Sequence, residues 1–184
     1  GMKMNFKILV ADDEYYARKA LVMMLEKSEL PISVNGDFED GEEVIEFLQE
    51  NEADIIITDI RMPNTDGLEL AKYVQEHMPK CSVVIETGYE EFQYARNALR
   101  YQVKDYLTKP INESELLKSI KNILAEKTQS DNLENMNKLK GVVENLDFAQ
   151  LIQNKKLLDE LIPAELWKDH SWFFMAKGEV SHSG

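Results

Sequence analysis

The segment ADIIITDIRMP (residues 53–63) decides the fold of this chain. Its apolar centre is rich in β-branched isoleucine and is bounded by polar residues and a proline, which is typical of a short buried strand. One acid, Asp59, stands at the point where this strand is predicted to end. Because ligands of an open parallel sheet bind at the carboxyl ends of its strands, we expect Asp59 to lie at a functional edge.

Strand-length apolar runs alternate with helical patterns as far as about residue 126. The strands are predicted at residues 6–11, from 32 onward, at 54–59, at 82–85 and at 103–107. The helices are predicted from Tyr15 to Pro31, from Gly41 to Glu50, from Asp66-Gly67 to Pro79, through Phe92 and Leu99, and after Pro110 with Asn112 as N-cap. The buried face of the first helix is predicted to carry Ala17, Ala20, Leu21, Met24 and Leu25. This alternation predicts βαβ units, hence an α/β, flavodoxin-like, doubly wound (βα)5 parallel sheet in the order 2-1-3-4-5 with a C-terminal helical extension.

Length and composition bound the class of protein. The 184 residues fit one ordinary domain and an appendage, and the net charge of −13 argues against a nucleic-acid surface. The single cysteine, Cys81, excludes a disulfide framework within the chain and is predicted to be a small core residue near a strand start. We see neither a membrane-length apolar run nor a signal peptide, so we expect a cytoplasmic protein without membrane contacts.

The composition changes near Glu126 to Lys, Asn, Gln and Glu, without a strand pattern. We therefore expect a first domain over residues 3–127 and a helical linker or tail over residues 128–184. An apolar seam at helical spacing is visible at Leu133, Met136, Leu139, Val143 and Leu146. It lasts only about two heptads, which is short for a coiled coil.

Acids follow two strands that the predicted order makes neighbours. Asp12 and Asp13 end the first strand and Asp59 ends the third. Clustered carboxylates repel one another unless a cation neutralises them, and Mg²⁺ prefers oxygen ligands. We expect Asp13 and Asp59 to bind Mg²⁺ directly, Asp12 to bind directly or through water, and the backbone carbonyl of Arg61 to complete the set. Glu14 is a weaker candidate because the first helix should turn it away.

The same edge carries groups that suit phosphoryl transfer. An aspartate can act as a nucleophile and form an acyl phosphate. Asp59 would attack, and Mg²⁺, the ammonium of Lys109 and the hydroxyl of Thr87 would each neutralise one phosphoryl oxygen. An isolated acid after a strand is usually a turn or a helix cap, and Thr87 before Gly88 alone suits ordinary turn chemistry. The joint occurrence at several strand ends favours the functional interpretation.

Residues 7–127 resemble the receiver domains of bacterial two-component response regulators. The resemblance is carried by VADDE (10–14), TDIRMP (58–63), Asp66-Gly67, TGY (87–89) and Lys109-Pro110. The segment GYEEFQYARNAL (88–99) is similar to receivers that are joined to AraC-type DNA-binding domains.

The resemblance implies that a sensor histidine kinase phosphorylates Asp59, with Mg²⁺ held by Asp12 and Asp13. It also implies that Thr87 and Lys109 contact the phosphoryl group. The peptide bond between Lys109 and Pro110 is expected to be cis.

The resemblance further implies a conformational switch in which the hydroxyl of Thr87 moves inward and Tyr106 fills the vacated space. The face formed by the fourth helix, fifth strand and fifth helix would report this change. Its candidate charges are Arg96, Arg100, Lys104 and Asp105. A homodimer is expected through this face or through the C-terminal helix.

Other functions fit the residues less well. A hydrolase with Asp59 as turnover nucleophile would need a general acid two residues later, where the chain has Arg61. A non-phosphorylated interaction module that keeps only the fold is disfavoured, because the set of acids at the predicted site is complete. A nucleotide-dependent enzyme is disfavoured because the sequence contains neither a P-loop nor a GxGxxG motif. We therefore expect no turnover enzyme beyond the chain's own phosphotransfer and dephosphorylation.

Two departures from the receiver pattern leave questions open. No AraC-type helix-turn-helix is visible after Lys127, so DNA contact is expected only through an output domain outside this chain. We favour the interpretation that this sequence was truncated within a longer regulator. The alternative is a receiver domain followed only by a short tail of its own. Glu86 is an acid where a strand normally carries an apolar residue; either it lies near the strand end beside Lys or Arg, or it reaches solvent.

Overall fold

The computed structural model describes residues 5–88 and 101–145. The strands are β1 (Phe6–Ala11), β2 (Ile32–Phe38), β3 (Ile55–Asp59), β4 (Ser82–Thr87) and β5 (Asp105–Thr108). The helices are α1 (Tyr15–Lys27), α2 (Gly41–Leu48), α3 (Gly67–His77) and Glu113–Glu144, here called the long helix. The helix predicted through Phe92 and Leu99 lies outside the described residues, as does residue 146 of the predicted seam.

The strands form one parallel sheet in the order β2-β1-β3-β4-β5, which confirms the predicted topology. Side chains alternate between the two faces of each strand. Ile8, Ile57 and Val84 point to one face and pack with α1 and the long helix; we call it the α1 face. Ile56 and Ile85 point to the other face, which packs with α2 and α3; we call it the α3 face. Both faces are covered, which explains why the middle of each central strand is an unbroken apolar run, at residues 8–11, 55–57 and 83–85.

Several boundaries differ from the prediction. Thr87 belongs to β4 and not to the loop after it, and β5 begins at Asp105, two residues later than expected. Helix α1 ends at Lys27, because the Ser28 hydroxyl already bonds to the Leu25 carbonyl, well before Pro31. The predicted helical extension after Glu126 is confirmed as far as Glu144, but it continues the fifth helix without a break, in a segment that contains no proline.

The buried face of α1 also differs from the prediction. Its buried residues are Arg18, Leu21 and Leu25, whereas Ala20 is exposed. Ala17 and Met24 are half-buried, in agreement with the prediction, whereas Arg18 occupies a buried position that an apolar pattern does not include. Cys81, in contrast, is buried directly before β4, as predicted.

The first compact unit of the chain ends at Ala125, within the long helix. The described part of the second unit is the remainder of that helix, which exposes Leu133, Met136 and Val142. No helix among the described residues combines the length and the apolar character needed to cross a membrane.

Gly67 lets α3 begin directly against the end of β3. A Cβ atom at this position would collide with the backbone carbonyl oxygen of Asp59. The Gly67 amide donates to the Ile60 carbonyl at 2.9 Å, and Asp66 and Glu69 form a capping box. The Asp66-Gly67 motif is therefore the helix start that fixes the backbone after Asp59.

Arg18 holds α1 against the ends of β1 and β2. Its buried guanidinium donates to the Asp12 backbone carbonyl and to the Asp37 carboxylate, both at 2.8 Å. The Lys19 ammonium lies 2.9 Å from the same Asp37 oxygen. Desolvation alone would raise the pKa of Asp37, but the hydrogen bonds from Lys19 and Arg18 outweigh it and lower that pKa. This half-buried ion pair holds the Arg18 guanidinium against the backbone carbonyl of Asp12.

We expect Asp37→Asn to lower the free energy of unfolding by about 2 kcal/mol near neutral pH, because Arg18 loses its charged acceptor. A carboxyl group with a lowered folded pKa contributes fully above its ordinary pKa of 3.8, and the contribution is lost as the pH falls through the folded value. Urea unfolding should therefore show a smaller difference from wild type at about pH 2 than at pH 7.

Glu39→Gln is the matched control, because the exposed Glu39 carboxylate lies 3.9 Å from Arg18 and should contribute little. Equal losses for the Asp37 and Glu39 variants, or a loss for Asp37→Asn that does not change with pH, would contradict the prediction.

Candidate functional site

Three carboxylates meet at the carboxyl edge of the sheet. Asp12, Asp13 and Asp59 each place one carboxylate oxygen within 4.8 Å of the others. Ala11 is the register partner of Thr58, so the residues that follow them, Asp12 and Asp59, stand side by side. Asp12 and Asp59 are buried and Asp13 is exposed, so the cluster opens to solvent on one side.

Lys109 supplies the positive charge of this edge. Its ammonium lies 2.9 Å from Asp59 Oδ2 and 3.6 Å from Asp12 Oδ2. Its backbone amide donates to the Thr87 carbonyl at 2.8 Å, and the Lys109–Pro110 peptide bond is cis. The lysine therefore contacts the carboxylates of β1 and β3 from the end of β5.

Glu86 lies inside the site rather than in solvent. It is the register partner of Asp59 on the neighbouring strand, and alternation along β4 places its side chain on the α1 face with Val84. The residue is 2% exposed, and its Oε1 atom is buried without a hydrogen-bond partner. Of the two alternatives that the sequence left open, the solvent-facing one is wrong.

The pKa values of the site residues are shifted because several acids are buried close to one another. Desolvation by burial raises the pKa of Asp59 to about 6, against the lowering effect of Lys109. Burial, followed by the charge of Asp12, raises the pKa of Glu86 to about 8. Desolvation alone would lower the pKa of Lys109, but its hydrogen bond to Asp59 and the surrounding negative charges raise it instead. The edge therefore favours the binding of additional positive charge.

Thr87 and Tyr106 share the opposite, α3 face of the sheet. Thr87 is 4% exposed, two residues beyond Ile85, which is the register partner of Tyr106. The half-buried Tyr106 packs against the core of the α3 face. Its hydroxyl is buried without a hydrogen-bond partner. Thr87 and Tyr106 are thus diagonal neighbours on one face of two adjacent strands.

The remaining predicted residues lie at the periphery. Glu14 is exposed and donates its backbone amide to Asp12 Oδ1 at 2.9 Å, so it supports a site acid without adding its own carboxylate. Arg61 is exposed in the loop after β3, and its carbonyl as a metal ligand stays a prediction. Of the four switch-face charges, Lys104 and Asp105 are described, whereas Arg96 and Arg100 lie outside the described residues.

Sequence reasoning missed the supporting role of Arg18. A signal was present: Arg18 lies at helical spacing from Leu21 and Leu25, on the face that is buried. A charged residue at an apolar position of an amphipathic helix indicates a buried, paired group.

The donor set fits a hard divalent cation. Asp12, Asp13 and Asp59 offer carboxylate oxygens only, which Mg²⁺ prefers, and the open side at Asp13 leaves room for the waters that Mg²⁺ keeps. The buried, crowded negative charge gives a physical reason for a cation here. Soft transition metals would find neither sulfur nor imidazole in this cluster.

A doubly wound parallel sheet with acids and a lysine at its switch-point edge is the architecture of a receiver domain. The family model described as response regulator receiver domain matches residues 8–121, more than half of the chain. The chain belongs to this family.

Two named regulators and a solved receiver structure are similar to this chain, in agreement with the family assignment. The uncharacterized transcriptional regulatory protein YesN of Bacillus subtilis (strain 168) is 38% identical over 126 residues, 68% of this chain and 34% of YesN. The transcriptional regulatory protein HptR of Staphylococcus aureus (strain NCTC 8325 / PS 47) is 31% identical over 60% of this chain and 43% of HptR. The REC domain of AraT, a response regulator from Geobacillus stearothermophilus, superposes with a TM-score of 0.65 at 36% identity, covering 68% of this chain and 98% of that domain. The chain thus matches less than half the length of the two named regulators.

We expect Mg²⁺ to raise the melting temperature, because it binds the folded site and not the dispersed acids of the unfolded chain. The increase should be larger at pH 8 than at pH 5, since at pH 5 Asp59, with its pKa of about 6, must first lose a proton. Asp13→Asn should abolish most of the increase in a thermal-unfolding titration.

Glu76→Gln removes one exposed acid from α3, away from the cluster, and should keep the full Mg²⁺ effect. An equal increase in Asp13→Asn and in wild type would place the cation elsewhere and contradict the assignment.

Proposed function

We propose that this chain is the phospho-accepting part of a two-component response regulator. Asp59 accepts a phosphoryl group from a sensor histidine kinase in the presence of Mg²⁺. The observation that carries the proposal is the position of Asp59 between the acids of β1 and the ammonium of Lys109, which lies 2.9 Å away.

The residues have distinct roles in the transfer. A carboxylate oxygen of Asp59 attacks the phosphorus of the kinase phosphohistidine; the new O–P bond forms as the N–P bond breaks, and the histidine keeps the electron pair of the broken bond. Lys109 moves from the Asp59 oxygen to a phosphoryl oxygen, and the hydroxyl of Thr87 donates to another. Mg²⁺, held by Asp12, Asp13 and Asp59, would neutralise charge on the phosphoryl oxygens.

The switch uses the α3 face of the sheet. Inward movement of the Thr87 hydroxyl toward the phosphoryl group leaves space that the Tyr106 ring fills. The buried Tyr106 hydroxyl has no hydrogen-bond partner, so no hydrogen bond holds the ring in its present position. This freedom to move supports the proposed role of Tyr106 in the switch.

The output lies beyond the receiver. We propose residues 3–127 as the receiver and 128–184 as a linker or partial output region of a cytoplasmic regulator. The named relatives, of which this chain covers 34% and 43%, suggest transcriptional control. DNA contact would come only from an output domain outside this sequence.

Incubation with acetyl phosphate and Mg²⁺ should add one phosphoryl group, seen as a single mass increment by intact mass spectrometry. Asp59→Asn should remove the increment because the amide is not a nucleophile of this kind. Asp54→Asn is the matched control, since Asp54 precedes the opposite end of the same strand and should leave phosphorylation intact. A phosphorylated Asp59→Asn protein would refute the assignment.

Beryllofluoride with Mg²⁺ should promote self-association in sedimentation velocity experiments. We propose that pairing uses the exposed apolar residues of the long helix, of which Leu133 is 60% exposed and Met136 37% exposed. Leu133→Lys should weaken association without preventing phosphorylation of Asp59. Association that persists in this variant would shift the interface to the face that contains β5, and unchanged association on activation would contradict the switch.

A further inference from the structure

The chain leaves Asp59 through a short loop, residues 60–66, which we call the site loop. The loop is closed at its base, because the Gly67 amide donates to the Ile60 carbonyl at 2.9 Å. It lies outside the helices and strands and carries Arg61, whose backbone carbonyl is a predicted metal ligand. The base fixes where the loop begins and ends, but it does not fix the course of the backbone at Arg61.

The tip of the site loop is bound to the start of α2. The Asn64 side-chain amide donates to Asp40 Oδ2 at 2.7 Å, and the Gly41 amide donates to the Thr65 carbonyl at 3.0 Å. The other oxygen of Asp40, Oδ1, accepts from the Glu43 amide at 2.9 Å and caps α2. One buried carboxylate therefore joins the helix to the loop, through hydrogen bonds that its charge strengthens.

Two residues allow the loop to come this near to α2. Asn64 has a φ of 63°, in the left-handed region that asparagine adopts more readily than most residues. A Cβ atom at Gly41 would lie 2.6 Å from the Thr65 carbonyl oxygen, so a larger residue would push the loop away. Capping α2 requires neither feature. The contact therefore holds the loop as well as the helix.

We propose that Asp40 and Asn64 are positioning residues for the metal site. Their hydrogen bond holds the site loop in one conformation, so that the Arg61 carbonyl is in place before a divalent cation binds. This inference rests on the proposed function, which assigns Mg²⁺ to the acids at the end of the sheet. Asp40 is not among the three acids that converge there, so it acts through the loop and not as a ligand.

The effect on affinity follows from the demands of the cation. Mg²⁺ requires near-ideal octahedral geometry, so a ligand that is slightly misplaced loses most of its value. A carbonyl on an untethered loop would have to be ordered when the cation binds, and that ordering lowers affinity. Residues behind the direct ligands have large effects on metal affinity for this reason. The link between Asp40 and Asn64 supplies the order in advance.

The test is isothermal titration calorimetry with Mg²⁺ alone, on the full chain. Asn64→Gly keeps the left-handed backbone and removes the donor, whereas Asp40→Ser keeps a cap for α2 and removes the acceptor of Asn64. Each should raise the Kd for Mg²⁺ about tenfold. Glu42→Gln removes an exposed acid of α2, which is the same loss of charge as in Asp40→Ser, and should match wild type.

A double variant tests the hydrogen bond itself. Asp40→Asn combined with Asn64→Asp exchanges donor and acceptor without changing the net charge, and it should restore a Kd within about twofold of wild type. Thermal unfolding without Mg²⁺ provides the second measurement. A merely structural link would lower the melting temperature of Asn64→Gly and Asp40→Ser and leave their Kd for Mg²⁺ unchanged.

Three results would overturn the inference: wild-type Mg²⁺ affinity in folded Asn64→Gly and Asp40→Ser, equally weak binding in the exchanged double variant, or equal weakening in Glu42→Gln. Normal binding by wild type together with any of these results would refute only the role of the link. If wild type itself binds no Mg²⁺, the proposed function fails and the inference fails with it.

Discussion

Crowded negative charge at one edge of the sheet is the constraint on which the site depends. Parallel register brings Asp12, Asp59 and Glu86 to adjacent strand ends, and Asp13 joins them from the following turn. Burial removes the water that would screen their repulsion. The Lys109 ammonium, 2.9 Å from Asp59, compensates part of this charge and leaves the rest for a cation. The site is therefore unfavourable as it stands and gains stability from what it binds.

The scaffold holds these groups through backbone contacts that are independent of the carboxylates. Gly67 allows α3 to begin against the Asp59 carbonyl, and Arg18 binds the Asp12 carbonyl while paired with Asp37. The Lys109 amide is bonded to the Thr87 carbonyl. Because Asp12, Asp59 and Lys109 are held through their main chains, their side chains remain available to exchange partners, which the proposed phosphoryl transfer would require.

The sequence predicted the topology because strand and helix periods alternate regularly, and the strand order then determined which acids are neighbours. Asp12, Asp13, Asp59 and Lys109 are brought together as expected for strand ends of one sheet. The burial of Glu86 could not be predicted from its position, because a charged residue at a strand end can lie either in the interior or in solvent. A helical extension was predicted, but its continuity with the fifth helix was not, because the change of composition near Glu126 indicated a domain boundary at that point.

The most direct test of the central claim is a crystal structure of the protein with Mg²⁺ and beryllofluoride. The account predicts one cation bound by Asp12, Asp13 and Asp59, beryllium attached to an Asp59 oxygen, and the Lys109 ammonium transferred to a fluorine. A cation bound away from these acids, or an unmodified Asp59 still paired with Lys109 at saturating ligand, would contradict it.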